Sequence, residues 1–62
     1  MNTETLLNVI KETEPTNRTR LVNYFNCSYD LLEVHLLALM HTKGKYNNAI
    51  WTQNNDTVIV TK

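Results

Sequence analysis

Between Thr3 and Thr13 the apolar residues Leu6, Leu7, Val9 and Ile10 gather on one side of a helix, with Asn8, Lys11 and Glu12 opposite. Asn2 or Thr3 supplies an N-cap, and Glu4 suits the positive end of the helix dipole. Pro15 ends the segment, because the residue before a proline is pushed out of the α region. A shorter helix is predicted from a cap at Thr16 or Asn17 to about Phe25, with Leu21, Val22, Tyr24 and Phe25 as its apolar members. Asn26-Cys27 interrupts the pattern, since asparagine tolerates the left-handed conformation that closes a helix. Ser28 then caps a third helix with Asp30 in its first turn. Leu32, Leu36 and Leu39 share one side of it, flanked by Tyr29, His35 and Met40. Asp30, Glu33, Val34, Leu37 and His41 share the other. Cys27, just before the cap, pairs with Leu32 as a hydrophobic staple. Gly44, after Lys43, is the predicted helix stop.

From Lys45 the period changes. Ala49–Thr52 and Thr57–Thr61 are β-prone runs, and Gln53-Asn54-Asn55-Asp56 between them is turn chemistry. Pairing Thr52 with Thr57 puts Ala49, Trp51, Val58 and Val60 on one face and Ile50 and Ile59 on the other. The Trp51 face is the expected core side. The fold class is therefore α+β, three helices followed by a C-terminal β-hairpin, in a single domain over 1–62.

Composition narrows the function. A chain of 62 residues buries only about 60% of its unfolded surface, so a partner or a second copy would help it. Six cationic residues balance six acidic ones, which argues against a generic polyanion binder. Any nucleic-acid contact must come from charge placement. Cys27, the single cysteine, permits no intrachain disulfide. No secretory apolar region and no bilayer-length apolar run is present, so a cytoplasmic location and no membrane contact are expected.

Ser28, Leu32, His35-Leu36, Leu39 and Lys43-Gly44 resemble the helix-turn-helix core of small bacterial and phage winged-helix repressors, over Thr16 to Thr61. In that family a Ser or Thr opens the recognition helix, a His-Leu run followed by a leucine packs it, and a glycine leads into the wing. The resemblance implies a winged helix-turn-helix, three helices followed by a C-terminal β-hairpin wing. It also implies a dimeric DNA-binding transcriptional regulator. The chain departs from the pattern in two ways. Leu39 to Gly44 is one residue longer than usual. Tyr29, Asp30, Glu33, Val34 and Leu37 stand where the family usually shows Arg, Lys, Ser, Thr or Gln.

Two functions follow. In the first, Arg18 and Arg20 grip the phosphates of double-stranded DNA beside Asn17 at the start of the second helix. Ser28, Tyr29 and Glu33 then meet the major groove, where a carboxylate can accept from cytosine N4. Lys43 and Lys45 hold the backbone at the base of the wing, and Asn54 and Asn55 contact it from the tip. In the second, Asp30, Glu33, Val34 and Leu37 form a face that docks on a protein, as in a phage or mobile-element inhibitor or adaptor. Each residue also has a plainer role. Arg18, Arg20 and Glu33 suit a solvated face, Lys43 a helix C-terminus, Tyr29 the rim of the core, and Asp30 a helix start. Surplus apolar positions at Val34, Leu37, Ile50 and Ile59 predict a homodimer. His35 and His41 lack further ligands at metal spacing, and Gly44 is the only glycine, so neither a metal, a cofactor nor enzymatic activity is expected.

Overall fold

The computed structural model describes residues 1–53 and 56–61. Helix α1 spans Thr3–Thr13, and Asn2 caps it by accepting the Thr5 amide hydrogen at 2.8 Å. After Pro15 comes β1, Thr16–Asn17, a strand the apolar pattern does not predict because two residues carry no period. Asn17 has a second task. Its side chain accepts the Arg20 amide hydrogen at 2.8 Å and so caps α2, Arg18–Phe25. Asn26 closes α2 in the left-handed conformation, φ 52° and ψ 52°. The Asn26 and Cys27 amides both reach the Val22 carbonyl, the latter at 3.1 Å. Ser28 then caps α3, Tyr29–Met40, accepting from the Leu31 amide at 3.1 Å. The helix–turn–helix expected at Asn26-Cys27 is thus present with its capping as anticipated.

One face of each helix enters a shared core of Leu6, Leu7, Val9 and Ile10 from α1, Leu21 and Val22 from α2, and Leu32, Leu36 and Leu39 from α3. Cys27 packs against this cluster, in keeping with a staple. His35 sits half-buried, its Nδ1 2.7 Å from the Thr3 hydroxyl, so it ties α3 to the start of α1.

The end of α3 differs from expectation. The helix stops at Met40, and Gly44 is not the left-handed residue. That conformation falls instead on Asn47 and Asn48, with φ of 48° and 57°. The His41 carbonyl accepts from the Gly44 and Asn48 amides, and the Ala49 amide returns to the Leu39 carbonyl at 2.8 Å. A β-carbon on Gly44 would approach the His41 Cβ at 3.5 Å, an ordinary van der Waals contact. With no positive φ at Gly44, Gly44→Ala should raise stability by about 0.4–1 kcal/mol. A urea denaturation curve checks this, and a lowered midpoint would mean that the loop needs glycine after all.

Strands β2, Ile50–Thr52, and β3, Thr57–Val60, form the hairpin, and β1 adds to its far side. The sheet is antiparallel in the order β1-β3-β2. Ile50 faces Val60, Trp51 faces Ile59, and Thr52 faces Val58 rather than Thr57. The cause lies in the turn. Asp56 adopts φ 69°, its amide bonds the Gln53 carbonyl at 3.0 Å, and the Gln53 amide bonds the Thr57 carbonyl at 2.9 Å. Pairing therefore shifts by one residue, and the expected faces of β2 exchange. Ile50 and Val58 are fully buried, whereas Trp51 stands 53% exposed on the outer face.

Candidate interaction surface on α3

Arg18 is the first residue of α2, yet its side chain does not project into solvent. Its Nε donates to Glu33 Oε1 on α3, and a terminal guanidinium nitrogen donates to Asp56 Oδ1 beside β3 at 2.6 Å. The Arg18 side chain is only 18% exposed, against 39% for Glu33 and 44% for Asp56. Burial opposes its charge, but the hydrogen bonds and the attraction of Glu33 and Asp56 outweigh burial and raise its pKa. The solvated faces expected for Arg18 and Glu33 are thus replaced by a three-residue ion pair joining α2, α3 and the hairpin. One cation between two carboxylates leaves a net negative charge there. Asp30, one turn before Glu33 and exposed, adds to it.

The other predicted residues scatter. Asn17 and Ser28 spend their side chains on helix caps. Tyr29 is exposed rather than on the rim of the core, with its hydroxyl 3.0 Å from the Thr19 hydroxyl. Arg20 is exposed and makes no ion pair among the described residues. Lys43 lies on the loop after α3, where its amide donates to His41 Nδ1 at 3.2 Å. The Lys45 ammonium sits 5.5 Å from the centroid of the Tyr46 ring, a cation–π arrangement. Asn54 and Asn55 lie outside the described residues. The predicted cations thus differ in their freedom: Arg18 is held by Glu33 and Asp56, whereas Arg20 makes no ion pair among the described residues.

The apolar half of the predicted α3 face is present and larger than expected. Val34 and Leu37 are 64% and 59% exposed, and Leu31 and Ala38 are exposed beside them. Leu31 and Ala38 escaped sequence reasoning because α3 is apolar almost all round, so a single stripe is hard to choose. Asp56 escaped it because its partner lies 38 residues away along the chain. No family model, curated protein or solved structure matches this chain.

A second apolar feature lies where Trp51 and Ile59 of the sheet meet Pro15. Pro15, Trp51, Ile59 and Val60 line an open groove of about 470 Å³, edged by Glu14 and Thr61. Among the described residues there is no His, Cys, Asp and Glu cluster able to hold a metal ion, and no helix long and apolar enough to cross a membrane.

Proposed function

We propose that this chain is a winged-helix interaction module that binds a protein surface through the outer face of α3. The winged-helix reading is supported by the element order, three helices and a hairpin with a short strand ahead of α2 added to its sheet. It also agrees with the repressor-like residues from Ser28 to Gly44. The carrying observation for the function is the Arg18–Glu33–Asp56 ion pair. The cation best placed to hold phosphate between α3 and the hairpin is already held by two carboxylates. Any DNA backbone approaching there would meet a net negative charge, which opposes the electrostatic term on which nucleic-acid binding depends. The neighbouring surface of α3, with Leu31, Val34, Leu37 and Ala38, has the aliphatic character of a protein-docking face. Such a module would act as an inhibitor or adaptor. The second reading, a dimeric DNA-binding transcriptional regulator, draws on the element order and the exposed Arg20.

A fluorescence titration against a labelled duplex of random sequence, at about 50 mM salt, separates the two. The expected result is no binding by the wild-type protein. Non-specific DNA readers bind with Kd of about 10⁻⁴–10⁻⁶ M even at physiological salt, so a real reader would be visible. Saturable binding that weakens with added salt and with Arg20→Ala would overturn the proposal in favour of DNA.

A further inference from the structure

The outer stripe of α3 reads the same from either end. Asp30, Val34, Leu37 and His41 follow one another at spacings of four, three and four, and at about 100° per residue they line one side of the helix and its C-cap. One acid opens the stripe, two aliphatics fill it, and one imidazole closes it. Resting on the protein-docking reading above, we infer that the partner for this face is a second copy of the chain, with the two α3 helices antiparallel about a two-fold axis.

That arrangement places Val34 against Leu37 of the second copy and Leu37 against its Val34. Asp30 then meets His41 of the second copy at one end, and the reciprocal pair forms at the other. Such self-complementarity is what an isologous interface demands, because every contact must occur twice. A parallel pairing would set Asp30 against Asp30, two like charges that oppose it, and would leave each His41 facing another imidazole rather than a carboxylate. The antiparallel pairing keeps the two Asp30 residues about 16 Å apart along the axis, since they are eleven helical steps of 1.5 Å from register.

Local features fit this occupant. His41 is exposed, and its Nδ1 accepts the Lys43 amide hydrogen at 3.2 Å. In the neutral ring the proton is then on Nε2, where it can donate to a carboxylate. Glu33, beside the stripe, is held by Arg18 and so does not add an unpaired acid to the seam. Ala38, also beside it, is small enough to let the helices approach. A helix of 12 residues offers less than the roughly 800 Å² per partner of a standard interface, so the dimer is reversible rather than permanent.

Sedimentation equilibrium over a concentration series at neutral pH tests this, with circular dichroism confirming that each variant is folded. Wild type should shift from monomer to dimer as concentration rises. Leu37→Asp should remain monomeric, because it would bury a charge against an aliphatic surface. Asp30→Lys and His41→Glu should each weaken the dimer about tenfold, while the double variant, with the charges exchanged, should recover most of the loss. A wild-type monomer at every concentration would overturn the self-docking, as would a dimer indifferent to Leu37→Asp and to the charge exchange. Neither result touches the protein-docking reading, which stands or falls on the DNA titration.

Discussion

Truncation of Leu36 to alanine is expected to cost about 2–5 kcal/mol, the range found when a buried leucine is cut back and the cavity only partly closes. Leu36 is fully buried and lies between Leu32 and Leu39 on the inner face of α3. The core it fills also draws Leu6 and Ile10 from α1 and Ile50 and Val58 from the hairpin, so the loss loosens several elements at once. A domain of this size rarely has more than about 3–5 kcal/mol in hand. The variant should therefore be largely unfolded at room temperature, with no pre-transition baseline in a urea titration followed by circular dichroism. Leu37→Ala, one residue further on and on the exposed side, is the matched control and should change stability by no more than about 0.5 kcal/mol. If the Leu36 variant melted with the wild type, the inner face of α3 would be wrongly assigned.

That inner face was readable in the sequence, and so were most of the helical elements, because their signals are local. Asn17 and Ser28 stand where a capping side chain is needed, Asn26 where a left-handed residue is needed, and the leucines of α3 recur at spacings of four and three. The hairpin was harder. Its two faces are both apolar, with Ile50 and Val58 on one and Trp51 and Ile59 on the other, so the alternation of polar and apolar positions does not choose between them. The choice is made by Asp56, whose left-handed backbone sets where the turn closes. The Trp51 face was the expected core side, but the buried side of this small sheet is filled by Ile50 and Val58. The end of α3 shows the same limit. Gly44 has the right chemistry for a stop, yet Asn47 and Asn48 take the left-handed positions because the loop must return the Ala49 amide to the Leu39 carbonyl.

The candidate site was readable in part. An apolar face at Val34 and Leu37 follows from helical periodicity alone. The ion pair does not, because Arg18 meets Glu33 and Asp56 only after α2 has turned onto α3 and the hairpin has closed, 15 and 38 residues along the chain. This non-local contact changes the functional reading most. With it, a helix start that looked prepared for phosphate becomes a structural junction.

Arg18→Ala is the change expected to expose that junction. It removes a mostly buried cation and leaves Glu33 and Asp56 facing one another without it. Hydrogen bonds to charged groups contribute about 1.5–3 kcal/mol each when shielded, but both carboxylates here are more than a third exposed, which reduces the effect. A loss of about 1–2 kcal/mol in urea denaturation is expected. Two controls separate charge from packing. Glu33→Gln should destabilise the wild-type protein but be neutral or stabilising beside Arg18→Ala, because there it removes an unpaired acid. Added salt should reduce the difference between Arg18 and Arg18→Ala in part, since the guanidinium is 18% exposed but both carboxylates are open to solvent. The pH dependence has a definite sign. A raised pKa means that the contribution of Arg18 is fully present below the ordinary arginine value and is lost only as pH rises through the higher folded value. The guanidinium's own titration should therefore leave the cost of Arg18→Ala constant across the neutral range. If Glu33→Gln destabilised both backgrounds equally, Glu33 would act independently of Arg18, and the ion pair would lose its place as the junction between α2, α3 and the hairpin.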